Sequence, residues 1–326
     1  MILVTGGTGF LGKHLLGEML RRGLAFRALT RNVRAAARGC QGTDLEAVQW
    51  VEGDVNDPNS LLDALEGVAT IIHAAAMVSF QYDDRDELLL VNGEGTANVV
   101  NAALEAGVGH LVHVSSVAVL DRRPGGPTVT LGDRWPAQRP NSAYAESKFA
   151  AEREVWRGQA EGLSVSVAYP STIIGPGDFA GTNTPSLWRH AARERGFYPT
   201  GRAGFVDVRD VVDAILHLAQ TRQDGQRLLL NAANLKWQDF LTRAAKSINA
   251  KPPRRRMPAW QSALLWPVDQ VRAWVTGKKP IITRETHHSV QSDFRYDGST
   301  FEEALGRPYR DVLASIEEVG AAYLAR

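Results

Sequence analysis

Short apolar runs alternate along the chain with longer segments whose apolar residues recur at helical spacing. The pattern predicts strands near 1–5, 25–30, 48–52, 69–73, 110–115, 164–169 and 227–231. It predicts helices near 10–22, 59–66, 84–106, 142–161, 209–220 and 236–249. These strands are too uniformly apolar to show polar alternation, which is the pattern of a parallel sheet covered on both faces. Right-handed crossovers between them give an α/β fold with a doubly wound parallel sheet.

The rhythm breaks after about residue 171. Gly175-Pro176-Gly177 punctuates the chain, and residues 177–205 carry turn formers around a short helical stretch at 186–195. The chain is expected to re-enter the sheet over 206–231. Residues 250–326 hold Pro252-Pro253, a Trp-rich stretch and an amphipathic helix near 309–325. The expected division is a nucleotide-binding portion over 1–175 and 206–235, with a smaller, discontinuous substrate-binding portion over 176–205 and 236–326.

Composition narrows the class. With 37 Lys and Arg against 36 Asp and Glu, the chain has no basic excess with which to bind nucleic acid. The single cysteine, Cys40, excludes an intrachain disulfide and suits a reducing compartment. No signal-type segment follows Met1, and no apolar stretch of bilayer-spanning length occurs, so a soluble, cytoplasmic protein is expected.

The first chemistry lies at the first strand–helix junction. Gly6, Gly9 and Gly12, within Thr5-Gly6-Gly7-Thr8-Gly9-Phe10-Leu11-Gly12, give G-x-x-G-x-x-G after a strand and at the mouth of a helix. Glycines there allow a tight turn and close approach of a diphosphate, and the helix N-terminus supplies unpaired N–H groups. The sheet is therefore read as a Rossmann sheet, with Gly6, Thr8, Gly9, Phe10, Leu11 and Gly12 around the cofactor. An NAD site usually places an acid at the end of the second strand. Here that strand ends Leu29-Thr30-Arg31-Asn32, and no acid occurs between Glu18 and Asp44. A guanidinium attracts a ribose 2′-phosphate where a carboxylate repels it, so NADP(H) is the expected cofactor. Arg31 is the expected contact, with Arg34 or Arg38 as helpers.

The second chemistry is Tyr144-x-x-x-Lys148 in a helical pattern, which sets both side chains on one face. A free tyrosine is a weak base at neutral pH, and an ammonium one turn away is expected to stabilise its phenolate. Ser115-Ser116 ends the fifth strand, where ligands bind in an open α/β sheet. A hydroxyl there can orient a substrate oxygen toward the tyrosine.

Together these pieces resemble the extended short-chain dehydrogenase/reductase family. The likeness also rests on Gly53-Asp54-Val55, His73-Ala74-Ala75, Val91-Asn92-x-x-Gly95-Thr96-x-Asn98, Tyr169-Pro170-Ser171, Gly175-Pro176-Gly177-Asp178 and the closing Leu305-Gly306-Arg307-Pro308. It spans essentially the whole chain. It implies a catalytic set of Ser116, Tyr144, Lys148 and Asn92, with Asn92 supporting the proton-relay helix. It places Asp54 and Val55 at the adenine, and Ala74 and Ala75 at the ribose and diphosphate. Ser115, Tyr169 and Pro170 join Tyr144 and Lys148 around the cofactor, with Pro170 near the nicotinamide. The Leu-Thr-Arg strand end and Phe205-Val206-Asp207-Val208-Arg209-Asp210-Val211 resemble the dihydroflavonol-reductase and 3β-hydroxysteroid-dehydrogenase branch. A homodimer through helices 84–106 and 142–161 is implied by the same likeness.

The resulting expectation is reversible hydride transfer between NADP(H) and a carbonyl or secondary alcohol of a hydrophobic small molecule. Met77, Val78, Phe80, Ser116 and Thr172 are the expected substrate residues. The alternative is a sugar-nucleotide epimerase. Arg31 argues against the tightly held NAD of such enzymes, and the family's usual Val-Tyr-Gly reads Val119-Leu120-Asp121 here. A 4,6-dehydratase fits less well, because Val117-Ala118 follows Ser116 where those relatives carry Asp-Glu. A non-catalytic dinucleotide sensor would not need all three catalytic side chains. His73, His110 and His113 read as core or cofactor-shell histidines without metal-ligand spacing, and His287-His288 as polar surface. Cys40 reads as inert, Trp260, Trp266 and Trp274 as lid or core packing, and Arg254-Arg255-Arg256 as a solvated bend.

Overall fold

A computed structural model describes residues 1–79, 81–122, 126, 128–132, 142–177, 179, 184–194, 196–258, 260, 261, 287 and 290–326. Phe80, Asp178, Trp266, Trp274 and His288 lie outside the described residues.

Numbered in chain order, strands β1 (Ile2–Thr5), β2 (Phe26–Thr30), β3 (Trp50–Glu52), β4 (Thr70–His73), β5 (His110–Val114), β6 (Val165–Pro170) and β10 (Gln226–Leu230) form one sheet. Its order is β10-β6-β5-β4-β1-β2-β3, and every pairing is parallel. All seven predicted strands are in it. The other strands are β7 (Thr172–Ile174), β8 (Phe197–Pro199), β9 (Arg202–Asp207), β11 (Ala233–Lys236) and β12 (Arg255–Met257). They make a small sheet in the order β11-β9-β7 and a separate β12-β8 pair. The expected return to the large sheet over 206–231 is met only by β10. Phe205 and Val206 belong instead to β9, which lies beside Thr172 and Ile173 of β7.

Helices α1 (Phe10–Arg21), α2 (Val33–Arg38), α3 (Pro58–Ala64), α4 (Arg85–Leu88), α5 (Gly95–Glu105), α6 (Ala143–Ala160), α7 (Ser186–Ala192), α8 (Val208–Thr221), α9 (Trp237–Ser247), α10 (Ser299–Leu305) and α11 (Val312–Leu324) complete the described elements. Alternation along the strands sends neighbouring side chains to opposite faces. Leu3, Ile71, Leu111, Val165, Val167 and Leu229 share one core with Leu61, Val99, Val100 and Val155 from α3, α5 and α6. Val4, Ile72, Val112, Ala168 and Leu228 share the other with Leu15, Leu16 and Met19 of α1 and Val211, Ile215 and Leu218 of α8. A third core joins Trp188, Phe205, Phe240, Ile316 and Val319 in the C-terminal portion, with the Phe205 and Phe240 rings stacked 4.6 Å apart.

The closing Leu305-Gly306-Arg307-Pro308 has a mechanical role. Gly306, at φ +66°, ends α10 in the left-handed conformation that glycine adopts without strain. Arg307 then donates to the buried carboxylate of Asp210 on α8 at 2.9 Å, and the Arg310 backbone N–H donates to the same group at 2.8 Å. The last helix is thereby tied to the helix that covers the sheet.

The predicted helix 84–106 is one continuous ridge interrupted by a π turn over Leu89–Glu94, between α4 and α5. Asn92 sits in that turn. Because the strand order reverses beside β1, a crevice forms at the carboxyl ends of β1 and β4, where ligands bind in this topology.

Candidate active site

The glycine turn lines that crevice. Gly6 has φ +78°, and a Cβ there would stand 2.6 Å from the backbone of Ala74 and Ala75. A Cβ on Gly12 would stand 2.1 Å from the Gly6 carbonyl oxygen. These two glycines therefore close the turn against β4 and let α1 start directly behind it. Gly9, the α1 N-cap, is exposed, as is Thr8. No acidic residue occupies the first turn of α1 and no side chain caps it, so its amide donors are free to meet an anion. This cradle fits a dinucleotide diphosphate, with Phe10 and Leu11 following on the helix. Ala74 and Ala75 border it, and the Ala75 N–H is held by the Thr5 hydroxyl at 3.1 Å.

The arginines after α1 sort by their partners. Arg21 and Arg22 pair with Glu18, and Arg27 donates to the Glu66 carbonyl. Arg31 is exposed just past β2 and has no carboxylate partner among the described residues. Asn32 caps α2 by accepting from the Ala35 N–H at 2.9 Å. Asp54 and Val55 follow β3, Val55 buried and its carbonyl fixed by Asn98 at 3.0 Å.

Ser116, Tyr144 and Lys148 converge beyond the end of β5. Ser142 caps α6 by accepting from the Ala145 N–H at 3.0 Å, which starts the helix at Ala143, directly before Tyr144. The Ser116 hydroxyl acts on the Tyr144 phenol and favours its phenolate. Ser116 also caps the short turn at Val117–Val119 by accepting from the Ala118 N–H at 3.1 Å. Asn92 is 1% exposed, and its amide donates to Ser147 on α6 at 2.8 Å and to the Met77 carbonyl at 3.0 Å. It also accepts from the Met77 N–H at 2.7 Å. One side chain thus ties the π turn to the catalytic helix and to the segment after β4.

Lys148 differs from expectation. It is 2% exposed, and its ammonium donates to the Val114 carbonyl at 2.7 Å. Burial pulls its pKa down to about 8, against the opposing pull of the Glu152 carboxylate. Burial likewise pushes the Tyr144 phenol up, opposed by the Ser116 hydroxyl and by the charge of Arg122. Arg122 thus acts on the phenol from outside α6, a cation that helical spacing did not point to.

The two serines divide their work. The Ser115 hydroxyl turns inward and donates to Glu152 at 2.8 Å, leaving Ser116 to face Tyr144. The Tyr169 hydroxyl also donates to Glu152, at 2.7 Å, and its ring is buried. Ser115 and Tyr169, read as cofactor residues, therefore have their side-chain hydroxyls committed to the interior; Pro170 ends β6 beside them. Across the sheet, Thr5, His73 and His113 stand in one register row. His73 bridges the Thr5 hydroxyl at 2.8 Å and the Thr96 hydroxyl at 2.9 Å, and burial holds its pKa near 3. Burial also drives the His113 ring well below its ordinary value, so both rings are neutral core groups.

On the substrate side, Met77 is pinned through its backbone, Val78 is 54% exposed, and Thr172 opens β7 partly exposed. The Arg122 guanidinium lies over the Phe294 ring at 5.0 Å. A groove of about 1190 Å³ runs along α1 past Lys13, His14 and Arg209 and meets the glycine turn only at Thr8, Gly9 and Phe10. None of Ser116, Tyr144 and Lys148 lines it, so it is not the place of the chemistry. Among the described residues no helix is long and apolar enough to cross a membrane. Trp260 is 63% exposed.

Residues 2–232 match the family described as NAD dependent epimerase/dehydratase. The chain belongs to that family. Within it, the chain belongs to the extended short-chain dehydrogenase/reductase branch that includes dihydroflavonol reductases and 3β-hydroxysteroid dehydrogenases. A protein of Synechocystis sp. provisionally named dihydroflavonol 4-reductase is 30% identical over 97% of this chain and 92% of its own length. Sterol demethylase protein B of Methylococcus capsulatus is 35% identical over 77% of each chain. The decarboxylating sterol-4-alpha-carboxylate 3-dehydrogenase of Bos taurus is 30% identical over 79% of this chain and 72% of its own. Among solved structures, gox2253 superposes with a TM-score of 0.83 and 27% identity over 99% of this chain and 97% of its own. The family is one of NAD(P)-dependent oxidoreductases, epimerases and dehydratases.

Two side chains of this epimerase/dehydratase site escaped the sequence reading. Glu152 was visible in principle, since 144, 148 and 152 form one helical stripe. Arg122 carried no pattern; its place depends on how the chain leaves the turn capped by Ser116.

Proposed function

We propose that the protein is an NADP(H)-dependent oxidoreductase that reduces a carbonyl, or oxidises the matching secondary alcohol, on a hydrophobic small molecule. The observation that carries this reading is the Ser116 hydroxyl acting on the Tyr144 phenol at the carboxyl end of the sheet, one helical turn from Lys148. Gly6, Thr8, Gly9, Phe10, Leu11 and Gly12 would hold the diphosphate, Asp54 and Val55 the adenine, and Ala74 and Ala75 the adjoining ribose. Arg31 would fork onto the 2′-phosphate. The bound dinucleotide would supply or accept the hydride.

The protein's own part is the proton. Because burial raises the Tyr144 pKa, the hydroxyl keeps its proton at neutral pH. A protonated phenol suits donation to the oxygen of a carbonyl undergoing reduction. Ser116 would share that oxygen and fix its direction. Lys148, charged below about pH 8, would stabilise the phenolate left behind. Met77, Val78 and Thr172 border the space for an apolar substrate.

Arg122 refines the substrate. It is partly exposed, acts on Tyr144, and has no carboxylate partner among the described residues. A carboxylate on the carbon next to the reacting one would meet that guanidinium, and two of the relatives named above are a sterol demethylase protein and a sterol-4-alpha-carboxylate dehydrogenase. The test is NADPH consumption with hydrophobic ketones that carry or lack an adjacent carboxylate. Stoichiometric loss of NADPH is expected, favouring the acidic substrate by at least about 10-fold and losing that preference in Arg122→Met. Conversion of a sugar nucleotide with no net NADPH change would overturn the proposal in favour of an epimerase.

A further inference from the structure

Glu152 lies one helical turn beyond Lys148 and two beyond Tyr144 on α6. Three donors from three segments converge on its carboxylate. The Ser115 hydroxyl donates to Oε2 at 2.8 Å; the Tyr169 hydroxyl and the Trp156 indole N–H donate to Oε1 at 2.7 and 3.0 Å. Three donors and no acceptor around two oxygens fit an ionised carboxylate, which accepts at both. Charge-assisted bonds of this kind are about twice as strong as neutral ones.

We propose that Glu152 is a positioning residue for the Ser116–Tyr144–Lys148 site, fixing Ser115 inward and holding a positive charge on Lys148. This deepens the oxidoreductase reading and rests on it. Ser115 and Ser116 are consecutive, so a Ser115 hydroxyl clamped toward α6 sets the direction of the backbone that presents Ser116 to Tyr144. The electrostatic part follows from what surrounds Lys148. From the sheet, His73 on β4 and His113 on β5 are neutral rings that the Lys148 charge itself pushes down, and Val114 offers only a carbonyl. From β6, Tyr169 presents a neutral hydroxyl to Glu152, with Arg227 of β10 beside it. On α6 itself, Tyr144 is neutral, and Glu146 is paired with Arg85 of α4 at 2.6 Å. Among the described residues, Glu152 is the negative group that acts on Lys148.

The sign is fixed by this arrangement. Removing the Glu152 charge makes Lys148 lose its proton at lower pH, so any step needing the ammonium fails earlier on the alkaline side. In the wild type the alkaline limb of kcat/KM for NADPH-dependent reduction is expected near pH 8. Glu152→Gln keeps the shape and removes the charge. An opposite charge nearby typically moves such a group by one to three pH units, so the limb should fall by about one. Turnover at pH 8 should drop about 5-fold and turnover at pH 6 should change less than about 2-fold. Glu152→Asp keeps the charge and should restore the limb while loosening Ser115.

An independent readout is the titration of Lys148 followed by NMR in lysine-labelled protein, which needs no turnover; its midpoint should fall in Glu152→Gln. An unmoved midpoint, or activity lowered equally at every pH, would overturn the inference. If instead the wild-type protein consumes no NADPH with any hydrophobic ketone, the oxidoreductase reading fails first. The NMR midpoint would then report on Glu152 alone.

Discussion

Replacing Gly12 and Gly9 by alanine separates what the glycine turn does for the fold from what it does for a ligand. The Gly12 Cβ would begin 2.1 Å from the Gly6 oxygen and 2.7 and 2.8 Å from Gly7 backbone atoms, where ordinary contact needs at least 3.4 Å. No flexible side chain can yield there, so α1 must retreat by about 1 Å. That retreat draws Leu15, Leu16 and Met19, all fully buried, away from the sheet and α8. Overpacking of this kind costs about 1–3 kcal/mol, and the top of that range is expected because every close atom is backbone. Gly9 is different. It has φ −75° and ψ 174°, open to any residue, and its Cβ would meet only the Gly6 oxygen at 3.3 Å. Gly9→Ala should therefore fold with stability within about 0.5 kcal/mol of wild type. Its methyl group would nonetheless stand on the exposed N-cap where a diphosphate must approach. Losing one or two charge-assisted bonds at about 1.5–3 kcal/mol each predicts at least a 10-fold rise in NADPH Kd. Urea unfolding and fluorescence titration with NADPH measure both quantities. Unchanged NADPH affinity in Gly9→Ala, or wild-type stability in Gly12→Ala, would refute this reasoning.

Two further outcomes follow from partners on either side of the site. Arg31→Glu should weaken NADPH at least about 10-fold and leave NADH within about 2-fold, because only the 2′-phosphate meets the new charge; parallel titrations with both dinucleotides check this. Asp210→Asn removes one of the two carboxylates that Arg307 and Arg310 share, Asp213 remaining, which should cost about 1–3 kcal/mol in urea unfolding and loosen α11 in hydrogen exchange.

The seven strands of the main sheet were legible because each is an apolar run bounded by turn formers. What the runs could not say is which sheet they join. Phe205-Val206 reads like a central strand, yet β9 pairs with β7, because the chain has already left the main sheet after Pro170. The π turn at Asn92 was hidden for a related reason. Residues 84–106 keep one helical pattern, and the extra residue in the turn leaves no mark on apolar periodicity. Tight packing supports it from outside: a Cβ on Gly95 would stand 2.9 Å from the Val55 side chain. The α2 helix was missed because Val33–Arg38 is short and rich in arginine; its start signal was Asn32, which caps it.

At the site, spacing alone placed Tyr144 and Lys148 on one face, and strand position placed Ser116 within reach. Direction was not legible. The sequence cannot tell that the Lys148 ammonium turns to the Val114 carbonyl, or that Arg122 adds a charge felt by Tyr144. Both follow from tertiary packing of the segment after β5 against α6.

The most direct measurement is NADPH-dependent turnover of a hydrophobic ketone by Tyr144→Phe, beside a titration of NADPH binding. Loss of the proton donor predicts a fall of at least about 100-fold in kcat, with NADPH affinity within about 3-fold of wild type. Turnover persisting at the wild-type rate in a protein that still binds NADPH would contradict the assignment of Tyr144 as the proton donor.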